Sequence, residues 1–136
     1  MPITALFAGL LALLFVGLAV RVIRARRGAR VSIGDGGDKT LMRRVRVHGN
    51  FAEYVPMALV LMGLAESMGA WKPTLWLTGA ALLIGRLLHA YGVSQTNETL
   101  AFRITGTALT FTAILLAGVL CLILGWPLAM RSGFGI

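Results

Sequence analysis

The sequence predicts an all-α integral membrane bundle of four helices, and three observations lead there. Hydrophobic residues make up 57% of the 136-residue chain and charged residues only 13%, about half the share of a soluble domain. Uncharged runs approach 20 residues, the length that carries a helix across hydrocarbon. The alternating segments of about ten residues that build an outer-membrane barrel do not occur. The chain length fits one domain, residues 1–136.

The first span is expected at about 3–22. Ile3 to Val20 carries no charge, and Arg21, Arg24, Arg26 and Arg27 follow directly. A cleaved leader would place cations before the run and a small-residue site after it, so the pattern reads as a retained span with its N-terminus outside. Gly34-Asp35-Gly36-Gly37-Asp38 is a polar loop. The second span is expected at about 46–68, the third at about 73–92, and the fourth at about 102–128. Trp71 and Trp126 read as anchors at the far interface, and Ser94 to Glu98 as the last polar loop.

The net charge of +8 would indicate nucleic acid on a soluble protein. Here nine of the 13 cations fall between Arg21 and Arg46, in the connection between the first two spans. The positive-inside rule accounts for them, no nucleic-acid partner is expected, and both termini are placed outside. Cys121 is the one cysteine, so no intrachain disulfide can form, and an apolar setting makes its thiol inert. No metal site is expected, because His48 and His89 have no ligand cluster around them.

The second span carries the functional signal. Its uncharged stretch, Tyr54 to Ala65, is 12 residues, roughly 18 Å of helix against a hydrocarbon core of ~30 Å. The helix must therefore run backward through Glu53, Asn50 and Arg46, or forward past Glu66. Either way, ionisable groups reach membrane depth, where they are costly and face the protein interior. At about 100° per residue, Arg46, Asn50, Glu53 and Tyr54 occupy one stripe of about 100°, with Arg43 inside it. On the third span Arg86, His89 and Val93 share a face in the same half of the membrane.

These two stripes make a cationic pocket with one carboxylate. Arginines grip carboxylates, a glutamate holds an ammonium, and an asparagine both donates and accepts. A small zwitterionic, peptide-like anion satisfies that set. A closed Arg46–Glu53–Arg86 network and an ion or proton path satisfy it too, and chemistry alone leaves all three open. A transporter is disfavoured, since no repeat of spans or paired broken helices is visible. His48 and Arg43 read as interfacial, and Glu66 and Glu98 as hydrated residues near span ends.

The run Arg46-x3-Asn50-x2-Glu53-Tyr54-x-Pro56 at the start of a second span resembles the MAPEG family, membrane-associated proteins in eicosanoid and glutathione metabolism. The chain length, the four spans and Arg86-x2-His89 agree, and the resemblance covers nearly the whole chain. It implies a homotrimer in which glutathione, as co-substrate, binds between subunits near the cytoplasmic side. Arg46 and Arg86 would meet its carboxylates or carbonyls, Asn50 and Glu53 its backbone and amino end, and Tyr54 and His89 would line the site. Arg103 matches the arginine that faces the thiol. Val93 departs from the pattern, since catalytic members commonly have tyrosine there. The implied function is a glutathione-dependent membrane transferase or peroxidase acting on a lipophilic small molecule, an electrophile or a hydroperoxide, with membrane lipids as a further partner. The other implied function is a non-catalytic lipid-binding or scaffold protein of the same fold.

Overall fold

The computed structural model describes residues 1–95 and 100–134, and the side chains among them up to Arg131. Four helices follow in order: α1 (Pro2–Ala29), α2 (Lys39–Ser67), α3 (Lys72–Ser94) and α4 (Leu100–Phe134). They pack as an all-α membrane bundle. Among the described residues, α1 and α4 are the helices long and apolar enough to cross a membrane by length and composition alone. α2 and α3 carry the polar residues that lower their hydropathy.

The helices run past the expected spans, α1 and α2 by seven residues at their loop ends and α4 by six at its C-terminal end. α1 continues seven residues past position 22, through the arginines, to Ala29. Arginine is a good helix former, so a change from apolar to basic residues does not end a helix. It ends at Arg30, whose backbone is left-handed with φ 53°. α2 begins at Lys39, because Asp38 caps it by accepting from the amides of Thr40 (2.7 Å) and Leu41 (3.1 Å).

The core is a single apolar seam. Phe7, Leu11 and Leu18 of α1 meet Phe51, Val55 and Met62 of α2, with Leu75 and Leu82 of α3 and Ala113 and Ala117 of α4. Gly79 leaves room for the Phe7 ring, where a Cβ would collide with it. That ring stands edge-on to Trp76 at 5.6 Å between centroids.

The most extensive helix contact joins α3 to α4. It depends on two glycines: a Cβ on Gly85 would lie 2.9 Å from the Gly106 carbonyl oxygen, and one on Gly106 would lie 2.6 Å from the backbone nitrogen of His89. Small residues let helix backbones approach where no hydrophobic force drives association.

Glu66 is not a hydrated end residue as the sequence implied. Its two carboxylate oxygens accept from the amides of Ile3 (3.0 Å) and Thr4 (2.8 Å), capping the first turn of α1 from the last turn of α2. A helix start has free amides and a positive dipole end, and a carboxylate answers both. Glu98 lies outside the described residues.

Candidate functional site

A cavity of about 480 Å³ opens between the N-terminal half of α2, the C-terminal half of α3 and the start of α4. Its volume is in the range of small-molecule sites. Arg46, Asn50, Glu53, His89 and Arg103 line it, so five of the seven expected site residues meet there. They converge for the helical reason given above: positions 46, 50 and 53 fall on one face of α2, and that face is turned toward α3.

Arg86 does not line the cavity wall. It is only 2% exposed and lies beneath it. Its Nη1 donates to Asn50 Oδ1 at 2.7 Å and its Nη2 to the Gly106 carbonyl at 3.3 Å, while its Nε is buried without a partner among the described residues. The same carbonyl accepts from Thr110 Oγ1 at 2.8 Å. The close approach of Gly85 and Gly106 is what brings that carbonyl within reach. An amide and a carbonyl therefore hold the buried guanidinium, where the closed network of Arg46, Glu53 and Arg86 would have supplied a carboxylate.

Tyr54 is also outside the lining. Its half-buried ring stands edge-on to Phe111 of α4, with centroids 5.2 Å apart. Arg46, Glu53 and Arg103 are exposed in the single chain. His89 (6% exposed) and Val93 (8%) form the buried α3 side.

Two features were not assigned to the site from sequence. Arg43 lines the cavity and donates from Nη1 to the Val93 carbonyl at 3.3 Å. Its position within the α2 stripe was the available signal, outweighed by its place near the expected span edge. Met42, Val45 and Gly49 complete the α2 wall. His48, by contrast, turns away and stacks on Phe15 at 4.7 Å, in the α1–α2 contact.

The cavity thus presents three guanidiniums, one carboxylate, one amide and one imidazole. Such a set is chemically complementary to a small ligand with more than one anionic group and a single cationic group. A second, apolar cavity of about 270 Å³ lies between α1 and α2, where Phe15, Phe51, Val55 and Pro56 contribute to its walls. Among the described residues, none that lines it is charged.

Comparison with known proteins gives concordant results. The MAPEG family profile matches residues 4–123. Inner membrane protein YecN of Escherichia coli (strain K12) is 40% identical over 114 residues, 84% of this chain and 86% of that protein. The YecN of Escherichia coli O6:H1 matches with the same identity and coverage.

Proposed function

The chain belongs to the MAPEG family, and from that premise we propose that it is a glutathione-dependent membrane transferase or peroxidase acting on lipophilic electrophiles or hydroperoxides. The observation that carries this reading is the convergence of Arg43, Arg46 and Arg103 with Glu53 in one cavity. Glutathione has two carboxylates, one ammonium and a thiol. The donor set fits: arginines for the carboxylates, Glu53 for the ammonium, and the Asn50 amide nitrogen for a peptide carbonyl. Arg86 positions Asn50 from below.

The chemistry asked of the protein is to stabilise a thiolate, since the anion and not the thiol is the nucleophile. Arg103 supplies a fixed positive charge to that anion in a partly dry site. A thiolate so held adds to an electrophilic carbon, forming a carbon–sulfur bond while the displaced electron pair leaves with the leaving group or is protonated. With a hydroperoxide, two glutathione molecules give the disulfide, and the peroxide leaves as alcohol and water. Val93 supplies no hydroxyl to this site, and that favours the second reading, a non-catalytic lipid-binding or scaffold member.

The same reading makes the protein a homotrimer in the inner membrane, with both termini outside and the cavity facing the cytoplasm. Large apolar side chains exposed on α2 and α4, among them Met57, Val60, Phe111 and Leu115, support burial against other subunits or lipid. Titration calorimetry with glutathione, with thiolate absorbance near 240 nm followed on the same detergent-purified sample, tests the proposal. Binding with a thiolate signal supports the enzyme. Binding without it favours the non-catalytic protein, and absence of both rejects the glutathione reading.

A further inference from the structure

The connection between α1 and α2 is folded. α1 has 28 residues, about 42 Å of helix, which matches a bilayer with both headgroup layers rather than its ~30 Å core. Its uncharged part, Ile3 to Val20, accounts for roughly 27 Å. The remaining turns, bearing Arg21, Arg24, Arg26 and Arg27, therefore lie at headgroup depth.

The chain then turns back along these turns. The Val31 amide donates to the Arg26 carbonyl at 3.1 Å. Arg26 Nη1 donates to the carbonyls of Gly34 (2.7 Å) and Ser32 (3.4 Å), the two residues that flank Ile33. The guanidinium thus braces the loop tip from behind. Ile33 itself is 89% exposed, the most exposed of the large apolar side chains among the described residues. Arg24 and Arg27 on the last turns of α1, Arg30 at its end and Lys39 at the start of α2 are exposed as well. The two acids of the connection make local bonds: Asp35 Oδ1 accepts from the Gly37 amide, and Asp38 Oδ1 caps α2.

We propose that this braced loop is a docking surface for anionic phospholipid: Ile33 enters the headgroup–acyl boundary and Arg24, Arg27, Arg30 and Lys39 bind the lipid phosphates. The positive-inside rule explains cations on this side but not an isoleucine held out among them. An interfacial segment needs both an apolar insertion and a basic surround, and this loop has both. Its continuity with a membrane helix identifies the lipid leaflet as the occupant, in preference to a soluble acidic partner.

The test uses full-length protein, delipidated in neutral detergent and titrated with phosphatidylglycerol, phosphatidylcholine or inorganic phosphate while thermal unfolding is followed. Phosphatidylglycerol is expected to raise the unfolding temperature and the other two are not. Replacing Arg24, Arg27 and Arg30 with Gln should weaken the response about fivefold per cation. Because those changes also remove orienting charges, Ile33→Ser, which keeps every charge, is the second variant, expected to lose affinity severalfold. A fluorophore at Ile33→Cys in a Cys121→Ser background should be quenched by brominated lipid chains in nanodiscs containing phosphatidylglycerol. Equal responses to the two lipids overturn the proposal, as does an Ile33→Ser affinity that matches the native protein or a probe that is not quenched. A full response to inorganic phosphate would also overturn it, by making the site one for a soluble anion.

Discussion

Arg86 Nη1 donates to Asn50 Oδ1 at 2.7 Å, and this bond ties α3 to α2 under the floor of the cationic cavity. Removing the amide leaves a buried guanidinium with one partner fewer. Asn50→Ala should therefore destabilise the protein by ~1–3 kcal/mol, read as a lower unfolding temperature in detergent. Combining it with Arg86→Met should recover part of that loss, because the apolar replacement needs no partner. Strictly additive effects in the double-mutant cycle would show that the two residues are not coupled.

Glu66 answers two amides of the first turn of α1. Glu66→Ala should cost ~0.5–2 kcal/mol, the usual range for a lost cap, and Glu66→Gln less, since it keeps one acceptor. Hydrogen exchange at Ile3 and Thr4 locates the effect. Unchanged protection there in the Ala variant would count against the cap.

Gly106 has backbone atoms on the side where a Cβ would grow, and backbone cannot rotate away. Gly106→Ala should push α4 from α3, pull the Gly106 carbonyl from Arg86, and lower both stability and glutathione affinity. Gly17→Ala is the control. Nothing lies within 4 Å of its Cβ position, so the better helix former should be neutral or slightly stabilising. Equal behaviour of the two variants would remove Gly106 from the argument.

Arg103→Ala distinguishes binding from chemistry. If Arg103 faces the sulfur, the variant still binds glutathione, with at most a tenfold loss, but shows no thiolate absorbance near 240 nm. Conjugation or peroxidase turnover should fall by a factor of about 10²–10³, as when one electrostatic stabiliser is removed. A variant with the full thiolate signal would exclude Arg103 from thiol activation.

Local patterns made much of the fold legible. The short uncharged stretch at Tyr54 to Ala65 required the second helix to extend past it, and on a backward extension the spacing of Arg46, Asn50 and Glu53 puts them on one face, where the cavity is. Asp38 as a cap was also readable, one residue before Lys39, but span-length reasoning set the expected start at 46. What local pattern does not contain is the choice of partner across helices. Glu66 finds amides 62 and 63 residues earlier in the chain. Arg86 was placed opposite Asn50 and Glu53, and the glycine contact decides that it meets Asn50 and the Gly106 carbonyl. Tyr54 sits at the margin of the α2 stripe, and its ring packs on Phe111 instead of entering the cavity.

The clamp of Glu66 on α1 also has a consequence for biosynthesis. The amides of Ile3 and Thr4 are synthesised before their acceptor exists, because residue 66 has yet to emerge from the ribosome. Until it does, water or the insertion machinery must hold those amides. The first helix is therefore complete only as half of a hairpin, and arrival of the second helix is the event that closes its first turn.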